Sequence, residues 1–523
     1  MAGAGSSNKN LVLAAMIFAV AMMFIDQTIV AIAIPELQKD LGLSSTGLQW
    51  VINGYLLSLS ALFAFGGRIA DIMGHRRMVV IGVIVFATAS GLCGATPDGS
   101  AAEAWMIAFR VIQGAGAALM MPAALAIVIS SFPVDERGKA MAVFFAITGG
   151  LTAIGPLAGG YLTEVDWRAI FWVNIPIAII ALVLTAIAKP ENERHPAPID
   201  FRGAVLVTGG MGLAVLGLQQ AGEWGWTDAR TIGCVVAGLL ILAGFVAYER
   251  RVADPLINMR IFENRAFTID NVVLFFLMIP FVALFFFGST YSQISLGYSP
   301  GEAGLYLLTF FAGFAIASQF GGRILDSVGP RPSVVAGLAV AAVGFALWAR
   351  TLPDLDFNDQ WYFIAMAGAG FGLVLGPANT DAINRASRAS YGEVTGITQT
   401  VRNFGSSLGL AVLGSILIVQ NRMNLETTLG DKGIPKEKAD EIAAAVSGSG
   451  GGSSSSLSEH AGSKAKEVFD AIQLDYALST RTVIYVMAGT MAVAFVIALI
   501  GMPGGKVEAE AGEAGEPEEP APA

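Results

Sequence analysis

Two charged residues stand where a membrane interior would surround them: Asp26 inside the apolar run 11–34, and Arg110 inside the run 104–130. Ionisable groups in lipid are costly and mark ion or proton pathways. Burial favours the protonated carboxyl, and a nearby guanidinium favours the ionised one. A moving Arg110 or an arriving cation would therefore change whether Asp26 holds a proton, which is what coupling solute movement to proton movement requires. The plainer alternative has Asp26 capping or hydrogen-bonding a broken helix and Arg110 acting as a fixed strut. A second constellation is Gly155-Pro156 with Gly159 and Gly160. Proline removes one helical hydrogen bond and the glycines let another helix approach closely, so the segment reads as a bend or as plain small-residue packing.

The elements that must position these residues follow from composition. The chain has 523 residues, 54 % apolar and only 14 % charged, with 62 glycines and a mean hydropathy of +0.63. Soluble domains carry about 25 % charged residues. Soluble, disordered, collagenous and disulfide-stapled classes are excluded, the last because the only cysteines, Cys93 and Cys234, lie in apolar runs. A bilayer core needs roughly 20 apolar residues per helix, and fourteen such runs occur between residues 11 and 503. They are too long and too apolar on all sides for membrane β-strands. The first is too long for a signal peptide and is interrupted by Asp26. The expected class is an all-α integral membrane protein. Its net charge of −10 argues against a nucleic-acid partner.

Lys and Arg in the short loops set orientation. With the N-terminus inside, eighteen fall on the cytoplasmic side and four outside. Both termini are thus expected in the cytoplasm of a multi-pass protein of the plasma, or cell inner, membrane. Helix 1 then carries Asp26 into the outer half of the membrane, and Arg110 enters helix 4 at a matching depth. Residues 66–77 (GGRIADIMGHRR) and 321–332 (GGRILDSVGPRP) share seven of twelve positions. Both follow an even-numbered span, eight spans apart, so a parallel repeat of six-helix halves needs two extra helices between them. The expected division is a cytoplasmic N-terminus over 1–10, a six-helix bundle over 11–190, two inserted helices with linkers over 191–260, and a second six-helix bundle over 261–503. That last bundle contains an external loop, 421–479, and is followed by a disordered acidic cytoplasmic tail, 504–523. Within the external loop, helical flanks are expected at about 435–446 and 459–477, around a Gly/Ser linker at 447–456. Residues 506–523 carry net −5 and the external loop net −3. The acidity therefore belongs to these appendages and not to the membrane body.

Five segments resemble a known family. Gly67 to Arg77 matches the loop motif after helix 2 of the major facilitator superfamily, and Arg110-Val111-Ile112-Gln113-Gly114-Ala115-Gly116 resembles its helix 4 motif. Gly155-Pro156-Leu157-Ala158-Gly159-Gly160 matches the antiporter motif of helix 5. Asp26 to Val30 with Ala33-Ile34-Pro35, and Trp167-Arg168 with Asn174-Ile175-Pro176, match signatures of the 14-helix drug:proton antiporter family. The chain resembles that family over about 11–420 plus its last span. The resemblance implies the major facilitator fold with 14 helices and a cavity faced by helices 1 and 4. It also implies a proton-coupling role for Asp26 and Arg110, and a helix bend at Gly155, Pro156, Gly159 and Gly160 that shapes the occluded state. A cytoplasmic gate is implied at Gly67, Arg68, Asp71, Gly74, Arg76, Arg77 and Asp326. Asp71 and Asp326 each precede a glycine by three residues and could pair with Arg68, Arg76 or Arg323 as a releasable latch. A solvated topology signal is the plainer reading of the same arginines.

Asn53, Gln113 and Arg402 are candidates for the cavity lining, although helix-to-helix hydrogen bonds are the commoner fate of such groups. Phe275, Phe276, Phe281, Phe285, Phe286 and Phe287 could stack on a planar substrate or face lipid. Multidrug members of the family often carry a further acid in the span 394–420, where this chain has only Glu393 at the mouth and Arg402 within. That departure leaves neutral, zwitterionic or anionic substrates open. His75, His195 and His460 do not form a metal set, and neither a Walker sequence nor a nucleophile elbow is present. No metal, cofactor or enzymatic activity is expected. The expected partners are a small-molecule substrate, protons and the lipid bilayer, with the protein a monomer. The leading reading is proton-coupled antiport exporting hydrophobic or amphipathic drugs and antibiotics by alternating access. The alternatives are a dedicated exporter of an endogenous metabolite or antibiotic, and a lipid-handling or sensor protein on the same scaffold.

Overall fold

The computed structural model describes residues 9–190, 200–385, 391–431 and 465–505. These residues form fourteen long helices, because a chain in lipid must satisfy every backbone N–H and C=O internally. They are α1 (Lys9–Ile32), α2 (Ser45–Met73), α3 (His75–Gly94), α4 (Ala102–Ser131), α5 (Val134–Val165), α6 (Asn174–Ala188) and α7 (Phe201–Trp224). The series continues with α8 (Ala229–Glu249), α9 (Arg265–Ile294), α10 (Pro300–Val328), α11 (Pro330–Thr351), α12 (Trp361–Arg385), α13 (Tyr391–Asp431) and α14 (Ala465–Gly501). Thirteen candidate membrane spans, one of them α6 taken together with the short turn Ala169–Trp172, are long and apolar enough to cross a bilayer. The remaining long helix is the 32-residue α5.

Local signals place the helix ends. Ser44 caps α2 by accepting from the Gly47 N–H, and Ser299 with Glu302 forms a reciprocal capping box at α10. Gly74 (φ 100°) and Gly329 (φ 104°) make the two sharp turns of the repeated loop, in a backbone region that disfavours side chains. The 12-residue sequence repeat is thus a repeat of turn geometry.

Packing repeats as well. In the first set of helices α2 and α3 pack on α4, and α1 packs on α5 and α6; eight helices later α10 and α11 pack on α12, and α9 packs on α13 and α14. α2 meets α13 and α5 meets α10 across the two sets, while α7 and α8 pair with each other and α7 rests on α2 and α13. Small residues permit these contacts, as expected where lipid tails supply no hydrophobic drive. A Cβ on Gly66 would come within 2.2 Å of the Ala118 carbonyl, and one on Gly372 within 2.3 Å of the Phe314 carbonyl.

Residues expected as loop at 421–431 continue α13, and residues 465–477 of the expected flank belong to α14. The helix extends because Leu425, Leu429, Ile472 and Tyr476 are buried beyond the apolar run. The segment 435–446, the Gly/Ser tract 447–456 and the tail beyond 505 lie outside the described residues.

Candidate functional site

Asp26 and Arg110 meet. Arg110 Nη1 donates to Asp26 Oδ2 at 2.6 Å and to Gln113 Oε1 at 2.8 Å, while Gln113 Nε2 donates to Asp26 Oδ1 at 2.8 Å. Arg110 Nε binds the Val51 carbonyl at 2.7 Å, and the guanidinium lies 4.5 Å from the centre of the Tyr55 ring. The Asp26 and Arg110 side chains are 0 % and 1 % exposed, so neither charge has water to fall back on. Counting along the axes puts Asp26 about 9 Å and Arg110 about 12 Å from the same end of the bundle, which is why their side chains can reach each other. Gly114 lets α4 approach: a Cβ there would lie 2.4 Å from the Tyr55 carbonyl. Both carboxylate oxygens accept from a donor, so protonating Asp26 removes the negative charge on which these two bonds bear. Tyr55 was not singled out by sequence; a lone aromatic in an apolar run carries no signal for the guanidinium it will stack beneath.

Two residues beyond Asp26, α1 is fastened to α5. Pro156 has no N–H, so the Thr152 carbonyl loses its helical donor. Thr28 Oγ1 supplies one at 3.0 Å. The helix runs through Pro156 unbroken. Gly155 and Gly159 press on α1: a Cβ on Gly155 would sit 1.9 Å from Thr28 Oγ1, and one on Gly159 2.8 Å from the Ile29 carbonyl. On another side α5 meets α10, where a Cβ on Gly160 would lie 2.5 Å from the Pro300 carbonyl and one on Gly304 2.4 Å from the Pro156 carbonyl. The Gly301 N–H also donates to Glu164 Oε1 at 3.0 Å. These α5–α10 approaches gather at the end of the molecule opposite the 66–77 loop. There the Gln293 side chain also donates to the Ile32 carbonyl at 3.0 Å.

At the repeated loop, Asp71 Oδ1 accepts from His75 Nε2 at 3.0 Å, one turn further along. The partner in this structure is therefore a histidine the sequence had not paired with it, because the Gly74 turn folds the start of α3 back toward the end of α2. Gly67 faces Pro122 of α4. Arg68 is partly buried, Arg76 and Arg77 start α3, and Asp326 lies near the end of α10 in the second copy.

The polar candidates separate. Gln113 belongs to the Asp26 cluster. Asn53 is fully buried and meets Gln219 of α7 and Ser407 of α13, so its amide ties α2 to both of those helices. Arg402 donates to Gln399 at 2.6 Å; among the described residues its buried Nε has no partner, nor do the hydroxyls of Thr395 and Thr398 on the same helical face. Of the six phenylalanines of α9 singled out by sequence, Phe275 and Phe276 are partly buried and the other four are inside the protein. Phe281, Phe285, Phe286 and Phe287 are buried, with Phe285 stacked on Phe311 at 5.2 Å and Phe281 on Phe371 at 5.9 Å. Edge-to-face and stacked rings prefer one another to lipid tails. Sequence reasoning passed over several buried acids, Asp270 and Asp381 among them. The cost argument that flags Asp26 applies equally to them, and their nearness to helix ends disguised it. No group of three or more His, Cys, Asp or Glu among the described residues could hold a metal.

A polytopic all-α body with a sealed carboxylate–guanidinium pair and an eight-helix packing repeat is that of a membrane transporter. The chain belongs to the Major Facilitator Superfamily, whose model matches residues 16–410. As a member it is a multi-pass secondary transporter working by alternating access, and it is not an enzyme. It is 33 % identical to the tetracenomycin C resistance and export protein of Streptomyces glaucescens, over 76 % of this chain and 74 % of that one. It is 35 % identical to a puromycin resistance protein of Streptomyces alboniger, over 76 % and 79 %. Among solved structures, an inward-facing, unoccupied bacterial homologue of the human lysosomal transporter Spinster aligns with a TM-score of 0.65 at 17 % identity, covering 96 % of this chain and 99 % of that one. A D-xylose–proton symporter aligns with a TM-score of 0.55 at 13 % identity, over 78 % and 90 %. At these identities the structural likeness concerns the fold.

Proposed function

We propose that the protein is a proton-coupled antiporter of the 14-helix drug:proton type, exporting hydrophobic or amphipathic small molecules such as drugs and antibiotics. Its body is two six-helix bundles, α1–α6 and α9–α14, with α7 and α8 inserted between them and both termini in the cytoplasm. The eight-helix offset in packing and the loop charges support this division. Similarity to the tetracenomycin C and puromycin resistance proteins supports the substrate class.

One observation carries the mechanism: Asp26 is neutralised by Arg110 on one side and mechanically joined through Thr28 to α5, which in turn packs on α10 of the other bundle. A proton reaching Asp26 from outside removes the charge that holds Arg110. The released guanidinium changes the seat of α1 against α4, and Thr28 passes the movement to the α5–α10 contact, where the outer end opens or closes. The loop around Gly67, Arg68, Asp71, Gly74, Arg76 and Arg77, with Asp326 in the second copy, acts as the cytoplasmic gate. Arg402 with Thr395 and Thr398 lines the substrate path.

The test uses the full chain in liposomes with an imposed pH gradient and puromycin or ethidium as the transported probe. Wild-type protein should release protons in proportion to substrate moved. Asp26→Asn should insert and fold but lose gradient-driven transport, and wild-type coupling in that variant would remove Asp26 from the mechanism.

A further inference from the structure

Asp270 lies in the first turns of α9 and is 0 % exposed, yet among the described residues no donor reaches either of its carboxylate oxygens. α9 packs against α12, and among the described residues the charged groups that bear on Asp270 from that helix are the Asp381 carboxylate and the Arg385 guanidinium. Asp381 is 1 % exposed and accepts from Arg385 Nε at 2.7 Å. Arg385 Nη2 is also buried and has no partner among the described residues. Two buried carboxyls thus share one guanidinium, whose own side chain is only 16 % exposed. A single cation compensates a single anion, and leaving the second charge bare in such a site is expensive. A hydrogen bond between two carboxyls, moreover, exists only when one of them carries a proton.

We propose that Asp270, Asp381 and Arg385 form a second proton-binding site, at the opposite end of the molecule from Asp26. Successive helices alternate direction, so the start of α9 and the end of α12 lie on the side of the 66–77 loop, whereas Asp26 lies toward the other side. In the loaded state the Asp270 hydroxyl donates to Asp381, which keeps its bond to Arg385, and the trio carries no net charge. On release the proton leaves Asp270, and the free Nη2 of Arg385 is the donor that can take up the new carboxylate. The site therefore exchanges a proton with a donor ready for the carboxylate it leaves behind, and it offers a discharge point on the side away from Asp26. α9 packs against α13 and α14 as well as α12, so the protonation state of Asp270 bears on the packing of the second bundle.

The role of this site in coupling rests on the proposed proton antiport; its proton occupancy does not, and the two are tested apart. Full-length wild type, Asp26→Asn and Asp270→Asn are compared in liposomes for protons moved per ethidium, and in infrared difference spectra for the C=O stretch of a protonated carboxyl. Asn at 270 keeps a donor toward Asp381, so folding is expected to survive; if it does not, Asp270→Glu replaces it and should move the pH midpoint of that band. The expected result is that Asp270→Asn loses a protonated-carboxyl band present in wild type at neutral pH and lowers the transported ratio by about one proton. A wild-type band and ratio in Asp270→Asn overturn the proposal. A band displaced by sodium instead of by protons overturns it too. Should wild type move no protons at all, proton antiport fails, and the band alone then supports or overturns the site.

Discussion

Thr28 Oγ1 donates to the Thr152 carbonyl at 3.0 Å, the acceptor on α5 that Pro156 leaves without a helical N–H. A proline four residues after a buried carbonyl creates a vacancy, and a hydroxyl from the helix that carries Asp26 fills it. The Gly155-Pro156 segment is, through this contact, the socket by which α5 grips α1.

Thr28→Val should leave that carbonyl buried and unsatisfied, costing about 1–3 kcal/mol, while Thr28→Ser should be nearly neutral. Pro156→Ala restores the N–H to Thr152. In a double-mutant cycle read by thermal unfolding in detergent, Thr28→Val should therefore cost much less in the Pro156→Ala background.

Gly155→Leu should abolish transport while leaving the protein in the membrane, because a side chain there collides with Thr28 and the Ile25 carbonyl. Even Gly155→Ala adds a Cβ 1.9 Å from Thr28 Oγ1 and should cut transport severely. Surface labelling separates failed insertion from failed transport, and normal activity in Gly155→Leu would sink the role of this close approach.

Removing one member of the Asp26–Arg110 pair strands a buried charge, so Arg110→Ala should destabilise by about 3–5 kcal/mol. Arg110→Lys should fail to restore function despite its charge, since an ammonium cannot reproduce the planar fork that reaches Val51, Asp26 and Gln113 together. The combination Asp26→Asn with Arg110→Gln should recover stability but not proton-driven transport. Thermal unfolding and liposome uptake measured on the same preparations decide this.

Asp71→Ala removes the acceptor for His75 at the repeated loop. The pair is partly exposed, so a stability loss below about 1 kcal/mol is expected. If the loop is a gate, transport rate should fall with substrate affinity unchanged; equal rates in variant and wild type would leave the loop as a topology signal.

Asn53→Ala should loosen α7, whose Gln219 then lacks its buried partner. A loss of about 1–3 kcal/mol is expected. Protease sensitivity of the linkers around α7 and α8 is the measurement.

Much of this molecule was legible in its residue order. Runs of apolar residues separated by charged loops show a chain whose backbone must close its own hydrogen bonds, so the helices and their number could be counted. The repeat at 66–77 and 321–332 located the eight-helix offset, because a sharp glycine turn beside basic residues is written locally. Asp26 and Arg110 were visible because a charge inside an apolar run is costly to keep and is rarely idle. Asp270 and Asp381 were missed for the converse reason: near helix ends, acids look like solvated boundary residues until a third dimension shows them buried.

What the sequence by itself determined is therefore what depends on neighbours along the chain: span, turn and the short list of charges within apolar runs. Only the tertiary structure decided the pairings. His75 answers Asp71, Thr28 answers Pro156, and Asn53 answers Gln219 across 166 residues. In a bilayer there is no apolar drive to bring particular helices together, so partner choice rests on close-range shape and on buried polar groups finding each other. Those conditions exist only once the helices are packed.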